Sequence, residues 1–265
     1  MKKRTLVALS VAAIMTTATG AYASDNASFS PTQQEQIGKI ATDYLLKHPE
    51  ILIQVSQELQ KKQQAEQQKA QASLSKNAVK AHPALMTLDG VPHVGPKDAK
   101  VTVTEFFDYQ CYYCNKMAPE IEQLMKANPN VKFIFRDWPI FASRWETSAT
   151  AAFAGLEVWQ EKGAKAYVNY HNGIFGTGHN EGKLTDADIQ KVAQSALNGP
   201  LKKVSNDAYK KTITINDQLS KQVGFQGTPG FIITPVNGAT IDNTTVIGGA
   251  VDLQTLQQAI KHASH

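Results

Sequence analysis

The chain has 265 residues, with 27 lysines and arginines against 23 acidic residues, a net charge of +4 and only two cysteines. Three of the basic residues, Lys2, Lys3 and Arg4, stand at the very start, so the rest of the chain is nearly neutral and lacks the basic surface that nucleic acid requires. Two cysteines allow one disulfide at most, which excludes a fold held together by cross-links; a chain of this length supplies its own hydrophobic core.

Residues 1–23 read as a secretory signal. The basic residues precede an apolar run from Leu6 to about Ala18, and Ala21-Tyr22-Ala23 supplies the small residues of a cleavage site, with cleavage expected after Ala23. Ser10, Thr16, Thr17 and Thr19 interrupt the run, whereas a bilayer span needs about 20 consecutive apolar residues. The expected location is the bacterial periplasm, an oxidising compartment in which disulfides persist.

Residues 24–77 read as a helical region followed by a polar linker. Ser30-Pro31-Thr32-Gln33 has the form of a capping box, with Ser30 as N-cap and Pro31 at the first helical position. Ile37, Ile40, Ala41, Tyr44 and Leu45 then recur at helical spacing; His48-Pro49 ends that helix, and Leu52, Val55 and Leu59 mark a second stripe. Two short helices bury little of these stripes on each other. The segment is therefore expected to associate with other copies of the chain as a dimer or trimer; the alternative is that it folds back on its own core. From Gln60 to Asn77 there are good helix formers but no apolar face, which predicts a solvated helix or a disordered tether.

Residues 78–265 read as the main domain. Val101, Val103, Glu105 and Phe107 alternate with Thr102, Thr104 and Phe106 in a run rich in β-branched and aromatic residues, which predicts a buried strand. A helix from Asn115 to about Ala127 follows, then a strand from about Val131. Residues 143–223 have mostly helical patterns, with Thr185-Asp186 as one cap. GFIIT from Gly230, an Asn237-Gly238 turn, TTVIGG and a helix over Asp252–His262 close the chain. The order is βαβ, a helical block, then ββα.

Cys111 and Cys114 stand at the junction of the first strand and its helix. Cys111 falls at or just before the first turn, where unpaired backbone N–H groups and the helix dipole favour a thiolate. Thiols in such motifs ionise at about 3.5–7 rather than 8.5. Cys111 would then be the exposed, attacking sulfur and Cys114 the resolving one. As a staple the pair would do little, since closing four residues constrains the unfolded chain by only roughly 2 kcal/mol against nearly 5 for a hundred-residue loop. Structural zinc needs about four ligands, and no second pair at metal spacing exists. Copper(I) needs only two thiolates, so a copper clip or client-holding protein stays open beside redox exchange.

These residues carry a resemblance. VTVTEFFDYQCYYCNKMAPEIEQL, with GFQGTPGFII and GGAVDLQTLQQAI far downstream, resembles the DsbA-like branch of the thioredoxin superfamily from about Asp89 to Lys261. The segment containing KHPEIL is similar to the oligomerising extensions of periplasmic ScsC-type proteins. The resemblance implies an α/β, thioredoxin-like fold with a helical insertion at about 143–223 and an N-terminal helical extension. It implies a redox-active Cys111–Cys114 disulfide, no cofactor and no metal.

The same resemblance implies that Glu105 moves the proton of the buried thiol, and burial gives a carboxylate the raised pKa such a base needs. Read from the residues alone, Glu105 is equally an edge-strand residue paired with a lysine. Thr228-Pro229 matches the cis-proline loop that pairs with substrate backbone. Tyr112 and Tyr113 depart from the Pro-His of the strong oxidases, and Thr228 from their valine; the threonine, with a self-associating segment, opens an isomerase reading. Tyr112 is a candidate client contact. The implied partners are exported proteins with thiols or disulfides and a membrane redox partner. Among other residues, His171 and His179 read as exposed or structural members of a glycine-rich loop, Arg136-Asp137 as a local ion pair, and Trp138, Trp145 and Trp159 as packing residues.

Overall fold

The computed structural model describes residues 29–201 and 206–264. The secretory signal read at residues 1–23 lies outside them. The chain divides into two compact units, the first ending at Lys61 and the second beginning at Lys62.

In the first unit, α1 (Pro31–Lys47) begins with the expected capping box. Ser30 Oγ accepts the Gln33 N–H at 3.3 Å, and Gln33 Oε1 accepts the Ser30 N–H at 2.9 Å. His48 ends the helix, its N–H donating to the Tyr44 carbonyl, and α2 (Glu50–Leu85) starts after Pro49. α1 buries none of its residues. Ile37, Ile40, Tyr44, Leu45 and Leu46, with Leu52, Ile53, Val55 and Leu59 of α2, are all exposed.

The second unit is built on a sheet whose strands are β1 (His93–Val94), β2 (Val101–Phe107), β3 (Lys132–Asp137), β4 (Gly230–Pro235) and β5 (Thr245–Gly248), in the order β1-β3-β2-β4-β5. β2 runs parallel to β3 and antiparallel to β4, and every residue of β2 is buried. Glu105 therefore sits in the central strand, not at an edge. β1 is only two residues long, too short to leave a periodic signal in the sequence.

Alternation along the strands gives the sheet two cores. Val103 and Phe107, with Phe133, Phe135, Phe231 and Ile233, face the larger one. It is closed by α3 (Tyr112–Ala127), α4 (Thr147–Gly176), α5 (Asp186–Leu197) and α7 (Leu253–Ala263). Phe106, Ile232 and Val246 face the smaller, closed by α6 (Asn206–Val223) and the last turns of α2. Gly163 interrupts α4 with φ 70°, so the block reads as two helices meeting at a kink. The helical insertion between β3 and β4 is thus as the sequence indicates.

The segment up to Asn77, expected as a solvated helix or tether, is helical, and its last turns belong to the second unit. Ser75, Ala78, Ala81 and Leu85 are buried. Gln71 Nε2 donates to the Val246 carbonyl at 2.7 Å and Ser75 Oγ to that of Thr244 at 3.1 Å. These carbonyls belong to β5 and the residue before it, at the edge of the sheet, so the helix occupies an edge that would otherwise be open to pairing. The compact unit starts at Lys62, upstream of the boundary at residue 78 that composition suggests.

Arg136 and Asp137 do not pair with each other, because successive strand residues point to opposite faces. Arg136 caps the end of α2, donating to the carbonyls of Ala84 at 3.3 Å, Leu85 at 2.8 Å and Thr87 at 3.3 Å, and to Asn216 Oδ1 at 3.0 Å. A cation at a helix C-terminus meets the negative end of its dipole. Trp138 is buried and donates to Asp217 Oδ1 at 3.1 Å, while Trp159 packs against the larger core.

Candidate active site

The turn between β2 and α3 is pinned before the cysteines are reached. Asp108, buried, accepts the Gln110 N–H at 2.8 Å on one carboxylate oxygen. Its other oxygen accepts the Phe141 N–H at 2.9 Å and the Ser148 hydroxyl at 2.8 Å. Gln110 extends the clamp: its Nε2 donates to Thr147 Oγ1 at 2.6 Å and its Oε1 accepts the Gly182 N–H at 2.8 Å. Sequence reasoning passed over both residues; the signal was their place in DYQ immediately before the first cysteine.

Cys111 is the N-cap of α3, in extended conformation, and Cys114 lies one turn in. Cys114 is wholly buried and Cys111 is 5% exposed. The order of access is as expected, but Cys111 shows a narrow window where an exposed sulfur was anticipated. The facing loop accounts for it: Cys111 Sγ donates to the Thr228 carbonyl at 3.3 Å, and the Thr228–Pro229 peptide bond is cis. Both thiols are free.

The two sulfurs differ sharply in acidity. Cys111 is drawn down from 9.0 to about 6, foremost by the hydrogen bond from the Cys114 thiol. Burial opposes this; the Thr228 hydroxyl and the backbone N–H groups of Cys114 and Tyr113 add to it. Near neutral pH Cys111 is therefore mostly thiolate. Thr228 Oγ1 is buried and, among the described residues, has no other hydrogen-bond partner, which leaves its proton for the sulfur anion. Cys114 moves the other way, pushed well above the usual thiol range by burial, by its bond to Cys111 and by the charges of Cys111 and Glu105.

Glu105 lies on the same sheet face as Val103 and Phe107, under the cysteines, 2% exposed. Burial first, and the Cys111 charge second, raise its carboxyl from 4.5 to about 8. One of its oxygens, Oε2, has no hydrogen-bond partner among the described residues. A carboxyl that titrates near neutrality beside a thiol that resists ionisation can exchange a proton with it.

Tyr112 and Tyr113 flank the window at 41% and 59% exposed, their rings 5.4 Å apart in T-shaped contact. Lys116 Nζ stands 5.4 Å over the Tyr112 ring. His171 is not in a glycine-rich loop. It belongs to α4, buried among Phe107, Tyr109, Phe135, Tyr167 and Phe175, and burial lowers it to about 4, so it is neutral. His179 pairs with Asp188 at 2.9 Å on the surface. Among the described residues no group of three or more His, Cys, Asp or Glu side chains could hold a metal ion, and no helix is long and apolar enough to cross a membrane.

A central buried strand leading to C-x-x-C at a helix start, faced by a cis-proline loop, defines a thiol–disulfide oxidoreductase type of protein. The chain belongs to the thioredoxin family, whose model matches residues 87–262. A second model, described as the N-terminal domain of copper resistance protein ScsC, matches residues 33–66. The chain is similar to BcfH of Salmonella enterica Typhimurium, 36% identical over 88% of this chain and 97% of that one, with a TM-score of 0.71. It is also similar to ScsC of Proteus mirabilis in a transitional conformation, 30% identical over 89% and 98% of the two chains, with a TM-score of 0.57. Disulfide bond formation protein D of Bacillus subtilis is 25% identical over 202 residues, 70% of this chain and 81% of that protein. Two Na(+)/H(+) antiporters, from Salinispora arenicola and Salinispora tropica, match 100 residues at 35% identity; the chain spans 14% of their length.

Proposed function

We propose that the protein is a periplasmic thiol–disulfide oxidoreductase that forms or isomerises disulfide bonds in exported proteins through the Cys-Tyr-Tyr-Cys motif. One observation carries the reading: an acidic thiol at a helix start is backed by a buried, non-acidic thiol and a carboxyl that titrates near pH 8. A stabilised Cys111 thiolate is a good leaving group and makes the Cys111–Cys114 disulfide oxidising.

In the oxidising direction a client thiolate attacks Cys111 Sγ, the Cys111–Cys114 bond breaks, and Cys114 leaves as a thiolate that takes the proton of Glu105. The client's second thiolate then attacks the client sulfur of the mixed disulfide and expels Cys111 as a thiolate. Two electrons pass from the client to the cysteine pair. In the isomerising direction Cys111 thiolate attacks a client disulfide first. Either a client thiol displaces it, or Cys114 gives its proton to Glu105 and attacks Cys111 Sγ to release the client. The Thr228 backbone before Pro229 pairs with extended client chain, which accepts many sequences, and Tyr112 offers an apolar ring beside the entering sulfur. A membrane redox partner restores the starting state.

The exposed apolar residues of α1 and the start of α2 support self-association of the first unit as a dimer or trimer, with the unit from Lys62 onward as the redox domain. The leader read at residues 1–23 supports export.

The test is to trap the intermediate. Cys114→Ser should accumulate a mixed disulfide with a reduced or scrambled client, and Cys111→Ser should form none and lose all turnover. Turnover surviving in Cys111→Ser would overturn the reading. Copper(I) binding by the two thiolates is measured on the same reduced protein; tight binding without client turnover would replace the enzyme by a metal clip.

A further inference from the structure

A second carboxyl lies on the face that carries Glu105. In the parallel register Glu105 stands opposite Phe135 and Phe107 opposite Asp137. Val103, Phe107, Phe133 and Phe135 all face the larger core, so alternation puts Glu105 and Asp137 on that same face, on adjacent strands and two positions apart. A strand spacing of about 4.8 Å and a rise of about 3.3 Å per residue put their Cα atoms about 8 Å apart, within the span of the two side chains. Asp137 is 1% exposed.

Each carboxyl has one buried oxygen without a hydrogen-bond partner among the described residues, Oε2 of Glu105 and Oδ1 of Asp137. Tyr109 Oη and His171 Nε2, in the same core, also lack a partner among the described residues, but they are neutral at pH 7, whereas a carboxyl must keep its proton or find a donor. The other Asp137 oxygen accepts a long bond, 3.4 Å, from the Tyr167 hydroxyl, and the residue's own backbone N–H also favours its charged form. The groups around Asp137 are Glu105 on β2, Asp108 and Tyr109 in the turn after it, and Tyr167 and Tyr170 on α4, with His171 packed against Phe135 and Tyr167. Asn216 of α6 bonds the Asp137 carbonyl, and Arg136 faces the other way. None of the groups on this face is a cation at neutral pH, since His171 is neutral and the Arg136 guanidinium lies on the opposite face. Burial, with the Asp108 and Glu105 charges, pushes Asp137 well above the usual carboxylate range, so it holds its proton.

We propose that Asp137 is a positioning residue for the proton transfer: its protonated carboxyl donates a hydrogen bond, directly or through one water, to the Glu105 carboxylate, and so keeps Glu105 able to ionise and accept the Cys114 proton. One proton shared between two carboxyls satisfies both orphaned oxygens, and an O–H donor to a carboxylate is among the stronger hydrogen bonds. The inference rests on Glu105 being the base.

The test reads the pH dependence of the step in which Cys114 displaces a client from its mixed disulfide, by rapid quench. Asp137→Leu removes the donor and should move the rise of that rate to higher pH, with a loss of about tenfold at pH 7. Asp137→Asn, which keeps an N–H donor, should restore most of it. In a Glu105→Gln background Asp137→Leu should cost nothing further, because Asp137 acts through Glu105. A profile that responds to Glu105→Gln but not to Asp137→Leu overturns the pairing alone; one indifferent to Glu105→Gln overturns the base as well. Infrared spectra of the unmutated protein with isotope-labelled aspartate give a second decision that needs no variant to fold. A protonated aspartic acid at pH 7 that changes between the two redox states is expected; an ionised Asp137 sinks the proposal.

Discussion

In the first unit Ile40 and Leu46 stand in solvent, 68% and 76% exposed, while in the second Glu105 and Asp137 are almost wholly withdrawn from it. Each arrangement is unfavourable taken alone. An exposed large aliphatic side chain forgoes about 1.5–3 kcal/mol of burial, and a buried carboxyl must find a partner or keep its proton. The rest of the second unit obeys the ordinary rule, with apolar residues inside and Lys126, Lys210 and Lys221 paired on the surface. The two departures therefore point to two different needs: a partner surface in the first unit, and a proton acceptor out of water in the second.

The largest expected effect comes from the first departure. Replacing Ile40 and Leu52 together by aspartate should drop the particle mass in light scattering from that of an oligomer to that of a single chain, because each copy loses two apolar contacts and gains two charges. An unchanged mass would remove the partner surface from the account and leave those side chains unexplained.

Next in size is Glu105. Its carboxyl rises from 4.5 to about 8, so the folded state binds the proton more tightly than the unfolded chain does. The associated stability is complete below pH 4.5 and is lost as pH rises through 8. At pH 7 the penalty is on the order of 3 kcal/mol, and Glu105→Gln should recover much of it in urea unfolding, with no gain at pH 4. The same variant should slow client release by about a hundredfold at pH 7, the usual weight of a general base. A variant both slower and more stable is the mark of a residue kept for chemistry. Equal stability at pH 7 would show that burial of the Glu105 carboxyl carries no cost.

A smaller effect tests the thiolate. The thiolate absorbance of the reduced protein should titrate at about pH 6, and Thr228→Val should raise that midpoint by less than one pH unit, since it removes one hydrogen bond worth about 1 kcal/mol. Cys111 is depressed from 9.0, so its contribution to the reduced form is complete above pH 9 and vanishes as pH falls through about 6. A midpoint near 9 would leave the motif without an activated sulfur.

Alternation made half of the site legible. Val101, Val103, Glu105 and Phe107 share one face of a strand, and the same rule applied to Phe133, Phe135 and Asp137 would have placed Asp137 beside Glu105. Reading Arg136-Asp137 as an ion pair followed chain proximity, which strand geometry reverses. That β2 is central was not legible, because strand order depends on β4, some 120 residues downstream. The Asp108 and Gln110 clamp was hidden for a similar reason: their partners Ser148 and Gly182 are distant in sequence.

The second half of α2 was the other misreading, and it yields the smallest prediction. Its first turns carry leucine and isoleucine and are exposed; its last carry serine and alanine and are buried. Hydrophobicity alone would reverse the two. The buried stripe works because small residues let the helix backbone come close to the sheet, and two side-chain donors then satisfy carbonyls at the β5 edge, Val246 and Thr244. Ser75 is the better test because its hydroxyl is buried and its partner carbonyl would be left unsatisfied. Ser75→Ala should cost about 1 kcal/mol in urea unfolding, and Gln71→Ala less, since Gln71 is more exposed and water replaces it. Ser75→Leu, though more apolar, should destabilise by more than Ser75→Ala, roughly 1–3 kcal/mol, because the close approach leaves no room for the added atoms. If leucine there proves stabilising, the last turns of α2 are held by apolar contact and the edge bonds are incidental.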